Sequence, residues 1–243
     1  MTTPRALAVL HFAAGLQPFL APARRGGPVA VAIDRARSAK DAIESLGVPH
    51  TEVGRLLIDG CVAALEDLLR GGEQVEVAAR EDAAEVADPG AALPRFVADV
   101  HLGKLARHLR LAGFDCLWQR DWDDDALVAT AVAEGRVVLT RDKGVLRRRA
   151  VSRGRFVRAT ASEAQLAEVL RAFGLRARLR PFSRCRECNV PLEEVAKPEI
   201  EDALPAKVRA RYTRFKRCPG CGRVYWEGSH FERLHGVLER VAG

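Results

Sequence analysis

The chain has 243 residues, 48% of them hydrophobic, with 39 Lys or Arg against 32 Asp or Glu for a net charge of +7. That length suits two or three small domains better than one core, and no window approaches the twenty or so consecutive apolar residues of a membrane helix, so neither a membrane span nor a membrane partner is expected. The charge is uneven: residues 1–90 carry 9 Lys or Arg and 13 Asp or Glu, whereas residues 91–243 carry 30 and 19. The basic part suits a polyanion, because neutralising phosphates releases condensed counterions. A merely solvated, arginine-rich surface explains charge alone equally well.

In chain order, the start MTTPRALAVLHFAAGLQPFL lacks a basic n-region and a cleavage site. It reads as the first strand and turn of a folded domain, and the expected location is cytoplasmic. Strands are expected at Ala6–His11, Val29–Ile33, Arg55–Ile58 and Gln74–Ala78. A helix over Ser38–Leu46 is opened by Ser38 as N-cap and stopped by Gly47. Gly71-Gly72 turns the chain into the last strand. This β-β-α-β-β order predicts a ubiquitin-like β-grasp over residues 1–88, and AIESLGVPHTEVGRLLIDG is similar to small sulfur-carrier proteins of that fold. A carrier needs a free Gly-Gly C-terminus to form its thiocarboxylate. Here the chain runs on through EDAAEVADPGAALP, a linker by composition, so carrier chemistry is not expected. A protein partner docking on the β-grasp is the remaining expectation.

Residues 94–178 change character. A strand over Arg95–Ala98 reaches Asp99, and a helix follows at about Leu102–Leu111. Its Leu102, Leu105, Ala106 and Leu109 fall on one helical face, with Lys104, Arg107 and His108 on the other. Phe114–Trp118 is a short apolar run; a second helix spans Asp124–Glu134 and ends at Gly135. Strands at Arg136–Thr140 and Arg155–Arg158 precede a helix at Ser162–Phe173. Apolar strands alternating with helices predict an α/β domain with a parallel sheet covered on both faces.

From Arg180 to Gly243 regular periodicity fades, and Cys185-x2-Cys188 and Cys218-x2-Cys221 appear, 29 residues apart. Four thiolates at this spacing suit structural, tetrahedral Zn²⁺, a zinc ribbon, with an iron–sulfur cluster as the lesser alternative. Cys61 and Cys116, in apolar surroundings, read as buried core thiols.

Two aspartates follow apolar strands directly, Asp99 and Asp142, and Asp123-Asp124-Asp125 opens the second helix. In a parallel sheet, ligands bind beyond the carboxyl ends of strands. Crowded carboxylates suit a hard cation, Mg²⁺ or Mn²⁺, able to activate water toward a phosphodiester. Each residue alone also reads as a helix cap or a dipole partner.

FVADVHLGKLARHLRLAGFD, DDALVATAVAEGRVVLTRDKGVLRRR, RCRECNVPLEEV and FKRCPGCGRVYWEGSHFERL, in series over residues 95–235, closely resemble the Mut-seven C-terminal RNase family, which is PIN-like. Some members are similar in carrying an N-terminal ubiquitin-like domain. The resemblance implies Mg²⁺- or Mn²⁺-dependent RNA cleavage through an acidic cluster. Asp99 matches the aspartate after the first strand, Asp124 the one before the helical apolar pair, and Asp142 that of the LTRD motif. Lys143-Gly144 stands where related groups often place a fourth acid, so the number of catalytic metals stays open. Phosphate contacts are expected from Lys104, Arg107, Arg141 and Lys143, and base stacking from Tyr225 and His230. Tyr225 reads equally as cover for the zinc, and Trp226 better so. The expected layout is a β-grasp at 1–88, a PIN-like nuclease at 94–178 and a zinc ribbon at 180–243. A non-catalytic RNA- or ribosome-binding factor on the same fold is the alternative.

Overall fold

A computed structural model describes residues 6–82, 92–228 and 236. The chain divides into two compact units, one of residues 1–81 with 140–156, the other of residues 82–139 with 157–243.

In the first unit, strand Ala6–Phe12 buries Ala8, Leu10 and Phe12 on one face, the period-2 pattern of a half-buried strand. It pairs antiparallel with Val29–Ile33 and parallel with Gln74–Ala79. Val53–Ile58 pairs antiparallel with Gln74–Ala79 and with Cys61–Ala63. First and last strands side by side at the centre, with a helix laid over one face, make this the expected ubiquitin-like sheet. The helix is Ala39–Ser45; the Ser38 hydroxyl accepts the Asp41 amide at 3.1 Å, and Ala39, Ala42 and Ile43 are buried. Gly47 follows at φ +100°, where a Cβ would come 2.8 Å from the Phe19 carbonyl oxygen. Gly71 and Gly72, at φ +104° and +108°, occupy an internal turn closed by Gly72 N–H donating to Leu7 O at 2.8 Å.

Several elements of this unit lie outside the sequence reading. The 3-10 helix Ala14–Phe19 plugs Leu16 and Phe19 into the core. Asp59 and Gly60, both at positive φ, form the two-residue turn leading into Cys61–Ala63. That strand is at the sheet edge, so Cys61 is exposed, not buried as expected. Asp142 opens a short helix, Lys143–Arg147, whose Val145 and Leu146 are fully buried.

In the second unit, Phe96–Ala98 pairs in parallel with Val137–Thr140 and with Cys116–Leu117. Phe96, Ala98, Val137 and Leu139 face a core made with Leu102, Leu105 and Leu109 of helix Gly103–Leu111 and with Leu166, Val169 and Leu170 of helix Ser162–Ala172. Val97 and Val138, on the opposite face, are also fully buried. Helix Asp124–Glu134 starts at its Asp123 cap and ends at Gly135 in the left-handed region, matching the expected bounds. The C-terminal part adds three short antiparallel strands, Glu193–Val195, Phe215–Arg217 and Val224–Trp226, around Val195, Ile200, Leu204 and Phe215. Among the described residues no helix is long and apolar enough to cross a membrane.

Candidate functional site

The ribbon cysteines converge. The Sγ atoms of Cys185, Cys188, Cys218 and Cys221 all lie within 4.8 Å of one another, with Cys185–Cys221 at 3.6 Å and Cys188–Cys218 at 3.2 Å. Thiolates about 2.3 Å from a central ion form a tetrahedron with edges of roughly 3.8 Å. The four cysteines can therefore hold a structural metal ion such as zinc. A Cβ on Gly220 would sit 3.6 Å from Cys188 Sγ and 3.7 Å from Cys218 Sγ, and only 3.3 Å from Val190, so the tight second knuckle favours glycine. Burial pushes the Cys185 thiol up, but the Cys188 amide, the Tyr225 hydroxyl 3.0 Å away and the Glu187 amide outweigh it and bring it to about 6. Cys188 is pushed up to about 12 by burial and by sharing hydrogen bonds with Cys218 and Cys185. One anion makes the next harder to form, and a central cation lets all four ionise.

This knuckle is tied to the parallel sheet. Arg110, 3% exposed, donates to Cys116 O at 2.8 Å, Arg186 O at 3.1 Å and Glu187 O at 2.6 Å. Asn189, at φ +67°, accepts the Cys116 amide and donates to Asp115 Oδ1 at 2.7 Å. Burial raises the Asp115 pKa, but hydrogen bonds from Arg136 and Asn189 outweigh it and hold the carboxyl below its ordinary range. Cys116 is buried as expected, its thiol pushed up to about 12 chiefly by desolvation.

Each aspartate has its own setting. Asp99 follows the end of strand Phe96–Ala98, is 6% exposed and makes no side-chain capping bond. Its amide donates to Leu139 O at 3.0 Å, extending the parallel ladder. Asp124 is exposed at the first turn of its helix; the cap there is Asp123, which accepts the Ala126 amide at 2.8 Å. Asp142 is itself a cap, accepting the Gly144 amide at 2.5 Å. Asp99 and Asp124 belong to the second unit and Asp142 to the first. Among the described residues, the cysteines are the only group of three or more His, Cys, Asp or Glu side chains gathered closely enough to hold a metal ion.

A cleft of about 810 Å³ opens directly after Asp99, from Val100 onward. His101, Lys104, Arg107 and Arg120 line it, against a single acid, Glu163. Arg107 lies 5.7 Å over the Trp118 ring, whose Nε1–H donates to Val100 O at 3.1 Å. Glu187, the carboxylate 3.4 Å from Arg107, also faces Arg186 at 3.0 Å and Arg223 at 3.3 Å, so the cations stay in excess. Behind the cleft, burial pushes the His108 imidazole pKa down. Such a lining suits an anionic, phosphate-bearing ligand. Sequence reasoning found Lys104 and Arg107 from helical periodicity but missed Trp118 and Arg120, which come from a loop with no period.

The remaining expected contacts are scattered. Arg141 is exposed. The Lys143 ammonium donates to Pro18 O and Phe19 O, both at 3.3 Å, and desolvation pushes its pKa down. Tyr225 lines a cavity of about 440 Å³ in the ribbon with Trp226, Arg214 and Lys216, while its hydroxyl faces Cys185. Trp226 packs on the small ribbon core. His230 lies outside the described residues.

Residues 94–238 match the model of the Mut7-C RNAse domain, and residues 5–85 that of the Mut7-C ubiquitin domain. No curated protein and no solved structure matches the chain.

Proposed function

Because the chain belongs to the Mut7-C RNAse domain family, with a Mut7-C ubiquitin domain at its N-terminus, we propose that it is a metal-dependent ribonuclease hydrolysing RNA phosphodiester bonds. The observation that carries this reading is a cleft rich in cations whose lining begins at Val100, the residue that follows the buried Asp99 at the end of a parallel strand. Asp99, Asp124 and Asp142 are the proposed holders of Mg²⁺ or Mn²⁺: their hard carboxylate oxygens are fitting donors, and they would have to draw closer together to share the ion. Such an ion supplies positive charge to activate water and to stabilise the leaving oxygen. Lys104 and Arg107 take the phosphates 3′ or 5′ of the cut, with Arg120 extending the same surface. Arg141 and Lys143 flank Asp142, and Tyr225 and His230 extend RNA contact onto the ribbon. There the four cysteines hold zinc, closed to substrate and therefore structural.

Asparagine substitutions test the acids with little structural disturbance. Asn caps helices about as well as Asp, so Asp142→Asn keeps the start of helix Lys143–Arg147 while removing the anionic ligand. Mn²⁺-dependent cleavage of single-stranded RNA should fall roughly 100-fold or more in Asp99→Asn and Asp142→Asn, with RNA affinity largely retained. Wild-type protein that binds RNA tightly under Mn²⁺ and leaves it intact would instead make this a binding factor.

A further inference from the structure

Residues 140–156 lie inside the stretch matched by the RNAse family, yet they fold into the compact unit formed by residues 1–81. Several attachments hold them there. Both ring nitrogens of His50 meet acceptors: Nδ1 lies 2.7 Å from Glu44 Oε1 and Nε2 lies 2.8 Å from Val151 O. Glu52, only 1% exposed, accepts the Phe156 amide at 2.7 Å. Lys143 donates to the last carbonyls of the 3-10 helix Ala14–Phe19 and sits 5.2 Å over the Phe19 ring. Phe19 also meets Phe156 edge to face, centroids 5.2 Å apart.

A carboxylate as buried as Glu52 is costly without hydrogen-bond donors, and the 140–156 segment supplies one as a backbone amide. Conversely, helix Lys143–Arg147 has five residues, far too short to hold itself in water. Local bonds shape the turn at Asp142, whose amide donates to Thr140 Oγ1 at 2.9 Å and whose carboxylate accepts the Gly144 amide, but the helix that follows depends on what it packs against. We propose that the ubiquitin-like domain takes this chain's own 140–156 segment as its partner and braces the turn that carries Asp142. His50, Glu52 and Lys143 act as positioning residues through that segment. The catalytic consequence rests on reading Asp142 as a ligand of the catalytic ion; the brace itself does not.

The test uses the full-length chain with Glu52→Ala, Glu52→Gln and Lys143→Met. Amide hydrogen exchange is read over residues 143–156, with helix Gly103–Leu111 as internal control, alongside Mn²⁺ titration of RNA cleavage. In Glu52→Ala, exchange of the segment should rise about tenfold or more while the control helix is unchanged. The Mn²⁺ concentration for half-maximal cleavage should rise severalfold with KM for RNA unmoved. Glu52→Gln, which keeps an acceptor oxygen, should stay near wild type. Lys143→Met leaves residues 1–81 intact and should raise the segment's exchange even if Glu52→Ala fails to fold. Wild-type exchange in both Glu52→Ala and Lys143→Met overturns the brace. Faster exchange with an unmoved Mn²⁺ midpoint overturns its positioning role. A wild-type protein that cleaves no RNA overturns the nuclease reading alone, since exchange still decides the brace.

Discussion

At the scale of single residues, Asp115 is a carboxylate held by several hydrogen bonds. Arg136 Nη1 donates to it at 2.6 Å and Asn189 Nδ2 at 2.7 Å, while Arg136 also reaches Phe96 O at 3.1 Å and Glu134 Oε2 at 2.9 Å. The carboxylate thus joins a sheet loop, the strand region after helix Asp124–Glu134 and the first cysteine knuckle. Replacing it with Asn keeps the shape but loses the ion pair, so Asp115→Asn should cost about 2 kcal/mol near neutral pH. Because the folded carboxyl titrates below its ordinary 3.8, its stabilisation is complete above that value and disappears as pH falls through the folded pKa. The gap between wild type and variant in urea unfolding should therefore be constant from pH 5 to 7 and close on acidification. A gap that persists unchanged below pH 3 would mean that charge at Asp115 contributes nothing.

At the scale of elements, helix Gly103–Leu111 shows how close packing and the candidate cleft are linked. A Cβ on Gly103 would lie 2.6 Å from Trp118 Cζ2 and 2.8 Å from Cε2. Gly103→Ala must displace the indole from its bond to Val100 O, costing about 1–3 kcal/mol and widening the cleft beside Arg107. Denaturant unfolding checks the stability, and an unchanged midpoint would show that Trp118 moves aside freely. The stripe Leu105, Ala106 and Leu109 on this helix, with Leu102 at its N-cap, was readable because every member answers one local period, and all four are buried. Capping made Ala39–Ser45 and Asp124–Glu134 equally legible. The Asp59-Gly60 turn was a readable hairpin signal that sequence reasoning passed over. Other elements were out of reach. The ribbon strands have three residues each, too few to show alternation, and Lys143–Arg147 is held by residues about a hundred positions earlier. In the candidate site, spacing alone identified the cysteines, whereas Asp124 was chosen among three neighbouring acids only by family resemblance. Nothing local marks His50 or Glu52, because their partners are distant in the chain.

At the scale of the whole molecule, the two units differ in what holds them together. The first has a large apolar core running from Ala8 to Val77. Among the described residues, the ribbon within the second has a cluster of four buried apolar residues, Val195, Ile200, Leu204 and Phe215, so a metal held by its four cysteines is expected to supply much of its folding free energy. Stripping the metal with a strong chelator should accordingly be a local event with a defined route. The cysteine knuckles lose order first, and with them Arg186 O and Glu187 O, two of the three acceptors that satisfy the buried Arg110 guanidinium. A buried cation left without acceptors is strongly unfavourable, so the end of helix Gly103–Leu111 should loosen next. Hydrogen exchange after chelation should then rise over residues 184–226 and, to a lesser degree, at Leu109–Leu111. Strand Gln74–Ala79, in the other unit, should keep its protection. Cys188→Ser, measured without chelator, should reproduce the same order of loosening with a reduced zinc content. Equal protection of the ribbon in metal-loaded and metal-stripped protein would show that its small core suffices, and would remove the structural role assigned to the four thiolates.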